Sequence, residues 1–353
     1  MSVVFSECRT EHLSRLREFF GRVYRSDYIL AKDEALLRWQ FGGIDAWRPD
    51  HYHVKLALRD NVIVGCLGYI PLEVTIAGRR VRGAWTANWV VDPAYRRFAL
   101  GPLLMSSLIR EHDVTLVVGA SAEAREILPR VGFTHYGALK RHVWVIDPAG
   151  AAELSGSDVR LWDGLEPVNV ERDHAVERVQ RFDVAVERIW DDVWGDGAGT
   201  RRSAAFLNWR YTAHPTFRYR LFQALSPGRP AGFAVYRVES VHGLAARVGR
   251  VVEFVAEPGS ERCLLGALLE DARSNDVSVM DLFCSSTRVA PALERSRWLP
   301  EGQLPAEVPM LFQPIARGRR SIPFLGHLRT VRSHSDWNGW YVTKGDGDQD
   351  RPN

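Results

Sequence analysis

Residues 84–104 read AWTANWVVDPAYRRFALGPLL, an apolar strand that breaks at Asp92-Pro93 into a basic turn, from which a helix starts near Pro102. Ala84 to Val91 is rich in valine and tryptophan, and Pro93 must end it because proline has no amide for a sheet ladder. Arg96 and Arg97 add positive charge, Ala99 and Gly101 keep the backbone bare, and Pro102 suits the first helical position. The amides of a helix N-terminus are unpaired and favour phosphate by hydrogen bonding and by the helix dipole. Pro102 donates nothing, so a cradle here would use the amides of Arg97 to Gly101 and of Leu103 and Leu104. Such a turn can hold pyrophosphate; it also reads as an ordinary basic strand-to-helix turn, and the residues alone leave both open.

A second pattern follows at fixed spacing. Val114 to Val118, VTLVV, predicts a buried parallel strand, Ala122 to Arg130 a short helix, and Val131-Gly132-Phe133 its end. Together the two segments resemble the acyl-CoA-binding region of the GNAT superfamily of N-acyltransferases. The family pattern is Arg or Gln, two residues, Gly, one residue, Gly or Ala. Here it is met by Arg96, Arg97, Phe98, Ala99, Leu100 and Gly101, with Ala99 in place of the commoner glycine and Val91 to Tyr95 as lead-in. Ser121 occupies the family's asparagine position, Ala124 is kept, and Gly132-Phe133 closes the unit. Leu128 stands where many members carry the tyrosine that protonates the leaving thiolate, and Tyr136 is the nearby hydroxyl that could replace it.

The resemblance implies an α/β fold and acetyl-CoA or another acyl-CoA as cosubstrate. Its pantetheine would pair with the backbone of Trp89, Val90 and Val91, and its pyrophosphate would rest on Arg96, Arg97, Phe98, Ala99, Leu100, Gly101 and Leu103, with Ser121 nearby. A neutral amine would attack the thioester directly in a ternary complex. The strand carries no glutamate, only Thr86, Asn88, Trp85 and Trp89. The proton acceptor is therefore sought in Asp92, whose place before Pro93 also suits a turn, or in Glu253, flanked by Val252 and Phe254. Glu253 reads alternatively as one end of a structural salt bridge.

An internal repeat organises the rest. DEALLRWQF at Asp33–Phe41 parallels AAFLNWRY at Ala204–Tyr211, Val64–Tyr69 parallels Ala231–Tyr236, Leu103-Leu104 parallels Leu264-Leu265, and Leu128–Phe133 parallels Leu293–Trp298. The offsets all fall between about 160 and 170 residues, as two copies of one mixed α/β unit require. The expected architecture is two GNAT-like mixed-sheet domains with flanking helices in tandem. Residues 1–150 would hold the acyl-CoA site, 151–200 a helical connection with a helix around Glu171 to Trp190, and 201–335 a degenerate copy shaping the acceptor site. The degenerate copy reads AEPGSERCLLGALLEDA after its strand, with no basic pair.

Residues 336–353 form an Asp/Trp-rich tail. DWNGWYVTKGDGDQDRP fails the calcium-loop pattern, which ends on a distal glutamate. It reads either as a disordered acidic tail or as a segment folded back on an amine acceptor. It also resembles, with FLNWRYTAHP at Phe206–Pro215, tandem members encoded with surface-polysaccharide pathways. Acceptor contacts are then expected from Trp85, Asn88, His214, Trp337, Asp346 and Asp348. Arg317-Gly318-Arg319-Arg320 would meet the phosphates of a nucleotide-linked substrate.

Composition sets the frame. With 353 residues, 46% of them hydrophobic, the chain can bury two ordinary cores. A net charge of +3 with both signs interspersed argues against nucleic acid. No stretch is apolar and long enough to span a bilayer, and the first residues lack the pattern of a secretory leader. Cys8, Cys66, Cys263 and Cys284 lack metal-ligand spacing and read as buried thiols of a cytoplasmic protein. His51 and His53 have no third ligand, so no metal is expected. The expected activity is acyl transfer to a small polar amine, first a nucleotide-linked amino sugar, by a monomer or homodimer. Transfer to an aminoacyl or peptide amine, and a noncatalytic CoA-binding module, are the alternatives.

Overall fold

The computed structural model describes residues 2–44, 50–167, 175–312, 315–316, 321–330 and 339–352. In chain order its strands are β1 (Val4–Arg9), β2 (His51–Arg59), β3 (Val62–Ile76), β4 (Arg79–Val91), β5 (Val114–Val118), β6 (Thr134–Ala138), β7 (Lys140–Val145), β8 (Val176–Val179) and β9 (Ala198–Thr200). They continue with β10 (Arg220–Ser226), β11 (Arg229–Ser240), β12 (Arg247–Ala256), β13 (Val277–Cys284), β14 (Leu299–Pro300), β15 (Leu311–Phe312), β16 (Ile315–Ala316), β17 (Pro323–Leu328) and β18 (Trp340–Tyr341). Two mixed sheets result. One runs β1-β2-β3-β4-β5-β17-β6, with β9 and β18 along the far half of β3; the other runs β14-β7-β13-β12-β11-β10-β8. The parallel pairs at the centres are β4 with β5 and β12 with β13.

The two sheets exchange a strand. β7 follows β6 by one residue, yet it pairs with β13 and β14 of the second sheet, while β17 enters the first sheet between β5 and β6. Each sheet is thus completed by the other copy, and a boundary at residue 150 does not separate them. The connection also differs from the expected helix. Val176–Val179 is the edge strand β8, and the helix spans only Val186–Trp194. Residues 171–174 of that expectation lie outside the described residues.

The cores follow from the patterning. β5 is buried at all five positions, because helices cover one face and the second copy the other. On one side, helix α1 (Leu13–Val23), the short α2 (Ile29–Lys32) and α3 (Glu34–Gly42) bury Leu16, Phe20, Leu37 and Phe41 against Leu56 and Cys66. On the opposite side, α4 (Leu100–Glu111) sets Leu104, Met105 and Leu108 against Val64, Leu67 and Tyr69. A third core joins the copies, with Trp85, Trp190, Phe324, Trp340 and Tyr341 among its members.

The repeat closes on itself at its tryptophans. Trp39 and Trp209 stack with ring centroids 4.9 Å apart and an interplanar angle of 16°, and the Trp39 Nε1–H donates to the Trp209 carbonyl at 3.1 Å. Trp39→Leu keeps apolar bulk but loses the stack and the hydrogen bond, and is expected to cost about 1–3 kcal/mol. A lower urea midpoint with an unchanged slope would register it. All four cysteines are buried and unbridged, and burial pushes the Cys8 and Cys284 thiols up to about 12.

Candidate functional site

The site is organised by the point where β4 and β5 part. They pair only through Gly83–Trp85 against Val114–Leu116, after which β4 runs on to Val91 with its backbone on that side released from β5. A bulge at Asn88 directs this separation. Leu67 faces Trp89 and Gly68 faces Ala87, which leaves Asn88 unmatched at φ +52°. Its side chain is fixed from both ends: Gln40 Nε2 donates to Oδ1 at 3.2 Å, and Nδ2 donates to the Tyr28 hydroxyl. Gly68 is required opposite the bulge, since a Cβ there would sit 2.4 Å from the Phe41 ring.

The basic turn forms, but the helix after it begins at Leu100, two residues before the expected start, so Pro102 is its third residue. Asp92 caps it by accepting from the Ala94 amide at 3.0 Å and is itself ion-paired to Arg22 at 2.6 Å. The turn Pro93–Phe98 ends on Ala99 at φ +54°, a left-handed conformation disfavoured for any residue with a Cβ. Arg96, Arg97, Phe98 and Ala99 are exposed, and the amides of Leu100 and Gly101 open the twelve-residue helix α4 without helical acceptors. Gly101 has a steric reason. The Trp89 indole lies 3.3 Å from where its Cβ would be, and Trp89 Nε1 donates to the Gly101 carbonyl at 3.2 Å. Leu103 is the exception in the expected cradle, because its amide is engaged by the Ala99 carbonyl in the first helical bond. Ser121 caps the helix Ala122–Ile127 through the Ala124 amide.

The second copy has the same separation, and the chain's own C-terminal segment fills it. β12 pairs with β13 only as far as Val251 opposite Leu282. Beyond that point Thr343 Oγ1 donates to the Val252 carbonyl at 2.6 Å, and the Tyr341 hydroxyl accepts from the Phe254 amide at 2.9 Å. Thr343 bridges Cys284 on the facing strand. Gly345 cannot carry a side chain there, as a Cβ would lie 2.1 Å from the Tyr211 hydroxyl. With its opening occupied and no basic pair on its turn, the second copy lacks the features that the first assembles.

The same segment then crosses to the first copy. Gly347, at φ +60°, lies against Val118 and Trp85, and Gln349 Nε2 donates to the Val118 carbonyl at 3.0 Å. A cavity of about 340 Å³ remains beside it, lined by Tyr24, Arg25 and Tyr28 from the α1–α2 connection, Gly119 after β5, and Lys344, Asp348 and Arg351 from the segment. Arg351 Nη1 donates to Asp348. Residues 339–352 of the tail are therefore a wall packed on both copies rather than a free acidic end.

Several expected roles fall away. Glu253 is fully buried and accepts from Arg202 Nε at 3.1 Å and from the Tyr211 and Tyr341 hydroxyls at 2.7 and 3.1 Å. Burial pushes its carboxyl above the ordinary value against the opposing Arg202 charge, but it has no exposed face for an acceptor. Asp92 is committed to Arg22 and the turn. Tyr136 sits on β6, which the inserted β17 separates from β5, and it packs on Phe324 and Trp340. Asp346 is fully buried on Arg202 at 2.8 Å. Trp85 is core, donating to Thr200 Oγ1 at 2.8 Å. His214 is buried, accepts the Thr216 and Phe217 amides on Nδ1, and is pushed down to about 3 by burial. Trp337 and Arg317 to Arg320 lie outside the described residues. Among the described residues, Asp348 is the one expected acceptor contact that lines the cavity. The sequence reading missed Tyr24, Tyr28, Lys344 and Arg351. Lys344 was visible only as the single lysine of an acidic stretch.

Among the described residues no cluster of three or more His, Cys, Asp or Glu could hold a metal ion, and no helix is long and apolar enough to cross a membrane.

Comparison with known proteins places this geometry. Residues 22–136 match the family model described as an acetyltransferase (GNAT) domain. No curated protein matches the sequence significantly. Among solved structures, a GCN5-related N-acetyltransferase from Anabaena variabilis superposes with a TM-score of 0.60 at 12% identity, covering 93% of this chain and 73% of that one. A probable N-acyltransferase from Enterococcus faecalis gives 0.60 at 11% identity, with the same coverage of 93% and 73%. The N-myristoyltransferase of Saccharomyces cerevisiae, solved with bound myristoyl-CoA, gives 0.58 at 9%, covering 92% of this chain and 82% of that one. The chain has a tandem GNAT fold, two mixed α/β sheets joined and interlocked by strand exchange.

Proposed function

We propose that the protein is an acyl-CoA-dependent N-acyltransferase with one active site, in the first copy, acting on the primary amine of a small polar acceptor. The observation that carries this reading is the basic turn at the foot of an opened sheet. Exposed Arg96 and Arg97, the bare backbone at Ala99 and Gly101, and the free first amides of α4 converge beside the unpaired edge of β4. A pyrophosphate fits such a cradle, and the released β4 backbone around Trp89 to Val91 suits the amides of a pantetheine arm. The match of residues 22–136 to a GNAT domain supports the same assignment.

Bound acyl-CoA would supply an activated thioester carbonyl and a thiolate leaving group. The chain's own part is to hold the acceptor amine, exclude water and take up its proton. The cavity beside Gly119 suits the acceptor because it adjoins the end of β5 and is walled by the C-terminal segment. Asp348 is the carboxylate lining it; already paired with Arg351, it would orient an entering ammonium by sharing that pair, and the proton would leave through water. Leu128 is fully buried and offers no proton to the thiolate, so solvent serves that step. A nucleotide-linked amino sugar is the first acceptor to test.

The test is thiol release from acetyl-, propionyl- and longer acyl-CoAs against a panel of nucleotide-linked amino sugars, aminoglycosides and amino acids. Acceptor-dependent release is expected. The Arg96→Ala/Arg97→Ala double variant should weaken CoA binding about 10- to 100-fold without lowering the melting temperature, since both side chains are exposed. Unchanged CoA affinity in that variant would refute the placement of the pyrophosphate.

A further inference from the structure

The cavity has an unbalanced charge that the transfer reaction by itself does not require. Three cationic side chains line it, Arg25, Lys344 and Arg351, against one carboxylate, Asp348. Arg351 is paired with Asp348, and Arg25 lies 3.1 Å from Asp27. Lys344 is different. It is only 8% exposed, its ammonium stands 4.7 Å over the Phe283 ring, and among the described residues no acid lies within ion-pair distance of it.

The acids nearest Lys344 already serve other cations. Asp281 accepts from Arg141 at 2.8 Å and Arg250 at 2.6 Å, and Asp350 accepts from Arg237 at 2.8 Å and from the Tyr219 hydroxyl at 2.7 Å. A nearly buried ammonium without a counter-ion is costly unless something arrives to pair with it. Burial, followed by the nearby Arg250 charge, pushes Lys344 down to about 7, with Asp281 and Asp350 opposing and Arg141 adding to the depression.

We infer that this cavity receives an anionic group of the acceptor, a carboxylate or a phosphate, with the Lys344 ammonium as its counter-charge and Arg25 and Arg351 contributing to the same field. The inference rests on the acyltransferase reading for the word acceptor, but the anion site stands on the cavity itself. With Asp348 drawing the ammonium and Lys344 the anion, the site selects molecules that carry both charges. An entering anion favours the charged form of Lys344, so binding near neutral pH takes up a proton.

Two measurements separate this inference from the reading it builds on. The first is binding of inorganic phosphate and of acetate by calorimetry, in the Arg96→Ala/Arg97→Ala background so that the basic turn does not contribute. At least one anion should bind, at least tenfold more weakly in Lys344→Met and at pH 9 than at pH 6.5, with Lys344→Arg retaining binding. The heat should also vary with the buffer's ionisation enthalpy at pH 7.5. The second is acetyl transfer to glucosamine, glucosamine 6-phosphate and glycine, where the two anionic acceptors distinguish phosphate from carboxylate. KM for the preferred one should rise at least tenfold in Lys344→Met with KM for acyl-CoA unchanged. Anion binding indifferent to Lys344→Met, or transfer that favours glucosamine equally in both proteins, overturns the anion site and leaves the transferase reading intact. Lys344-dependent binding with no transfer to any amine overturns the transferase reading and supports the anion site.

Discussion

Arg202→Met is expected to destabilise the protein by about 3–5 kcal/mol, the usual consequence of removing one member of a buried ion network and leaving its partners charged. Arg202 is fully buried between two fully buried carboxylates, with Nε on Glu253 at 3.1 Å and Nη2 on Asp346 at 2.8 Å. Without it, two carboxylates share a low-dielectric site with only hydroxyls and amides to support them. The network also ties three parts of the chain together. Thr200 Oγ1 accepts from Trp85 on β4 and donates to Asp346 at 2.8 Å, while Asp346 accepts from the Thr343 amide at 2.9 Å. The loss should therefore fall on the C-terminal segment as well as on global stability. A lower urea midpoint and faster proteolysis within residues 339–352 are the expected readings. Adding Glu253→Gln and Asp346→Asn to Arg202→Met should recover part of the loss, because neutral partners need no counter-charge. An unchanged midpoint in the single variant would mean that the three groups do not act as a network.

That network explains which parts of the molecule were legible beforehand. The basic turn could be read because all of its determinants are local: Pro93 ends a strand, Gly101 lies twelve residues from the Trp89 that crowds it, and the helix begins where its amides are needed. The duplication could be read because each copy repeats the same order of strand and helix patterns. The strand exchange could not. β7 is buried at five consecutive positions, as a strand between two layers is in either sheet, and the slots beside β5 and β13 are both antiparallel, so nothing in residues 140–145 states which one it enters. The carboxylates failed for a related reason. Asp346 and Glu253 looked available because their shared arginine, Arg202, lies 144 and 51 residues away. An acidic tail in sequence became, in space, a set of counter-ions for the second copy. Among the described residues of that segment, Lys344 has no acid within ion-pair distance.

Lys344→Met is expected to make the protein more stable at neutral pH, by up to about 5 kcal/mol, while costing it anion binding. An ordinary lysine titrates near 10.4, whereas burial holds Lys344 at about 7 in the folded chain. Between those values the unfolded state binds the extra proton and the folded state does not, so this residue makes stability rise with pH across that window. Its contribution is fully favourable only above the unfolded value and is lost as pH falls toward 7, where the fold carries the whole penalty of the displaced titration. Each unit of displacement corresponds to about 1.4 kcal/mol, and the methionine stem can keep the packing of the lysine stem over Phe283. Urea midpoints of parent and variant should differ most at pH 7 and below and converge toward pH 10.5. An anion that pairs with Lys344 would remove part of that penalty, so the gap should narrow in the better-bound of phosphate and acetate and stay constant in a buffer that the cavity does not bind. A pH-independent gap would show that the folded protein does not hold this lysine near neutrality. A site that costs stability when empty and regains it when filled is one whose construction is explained by its ligand.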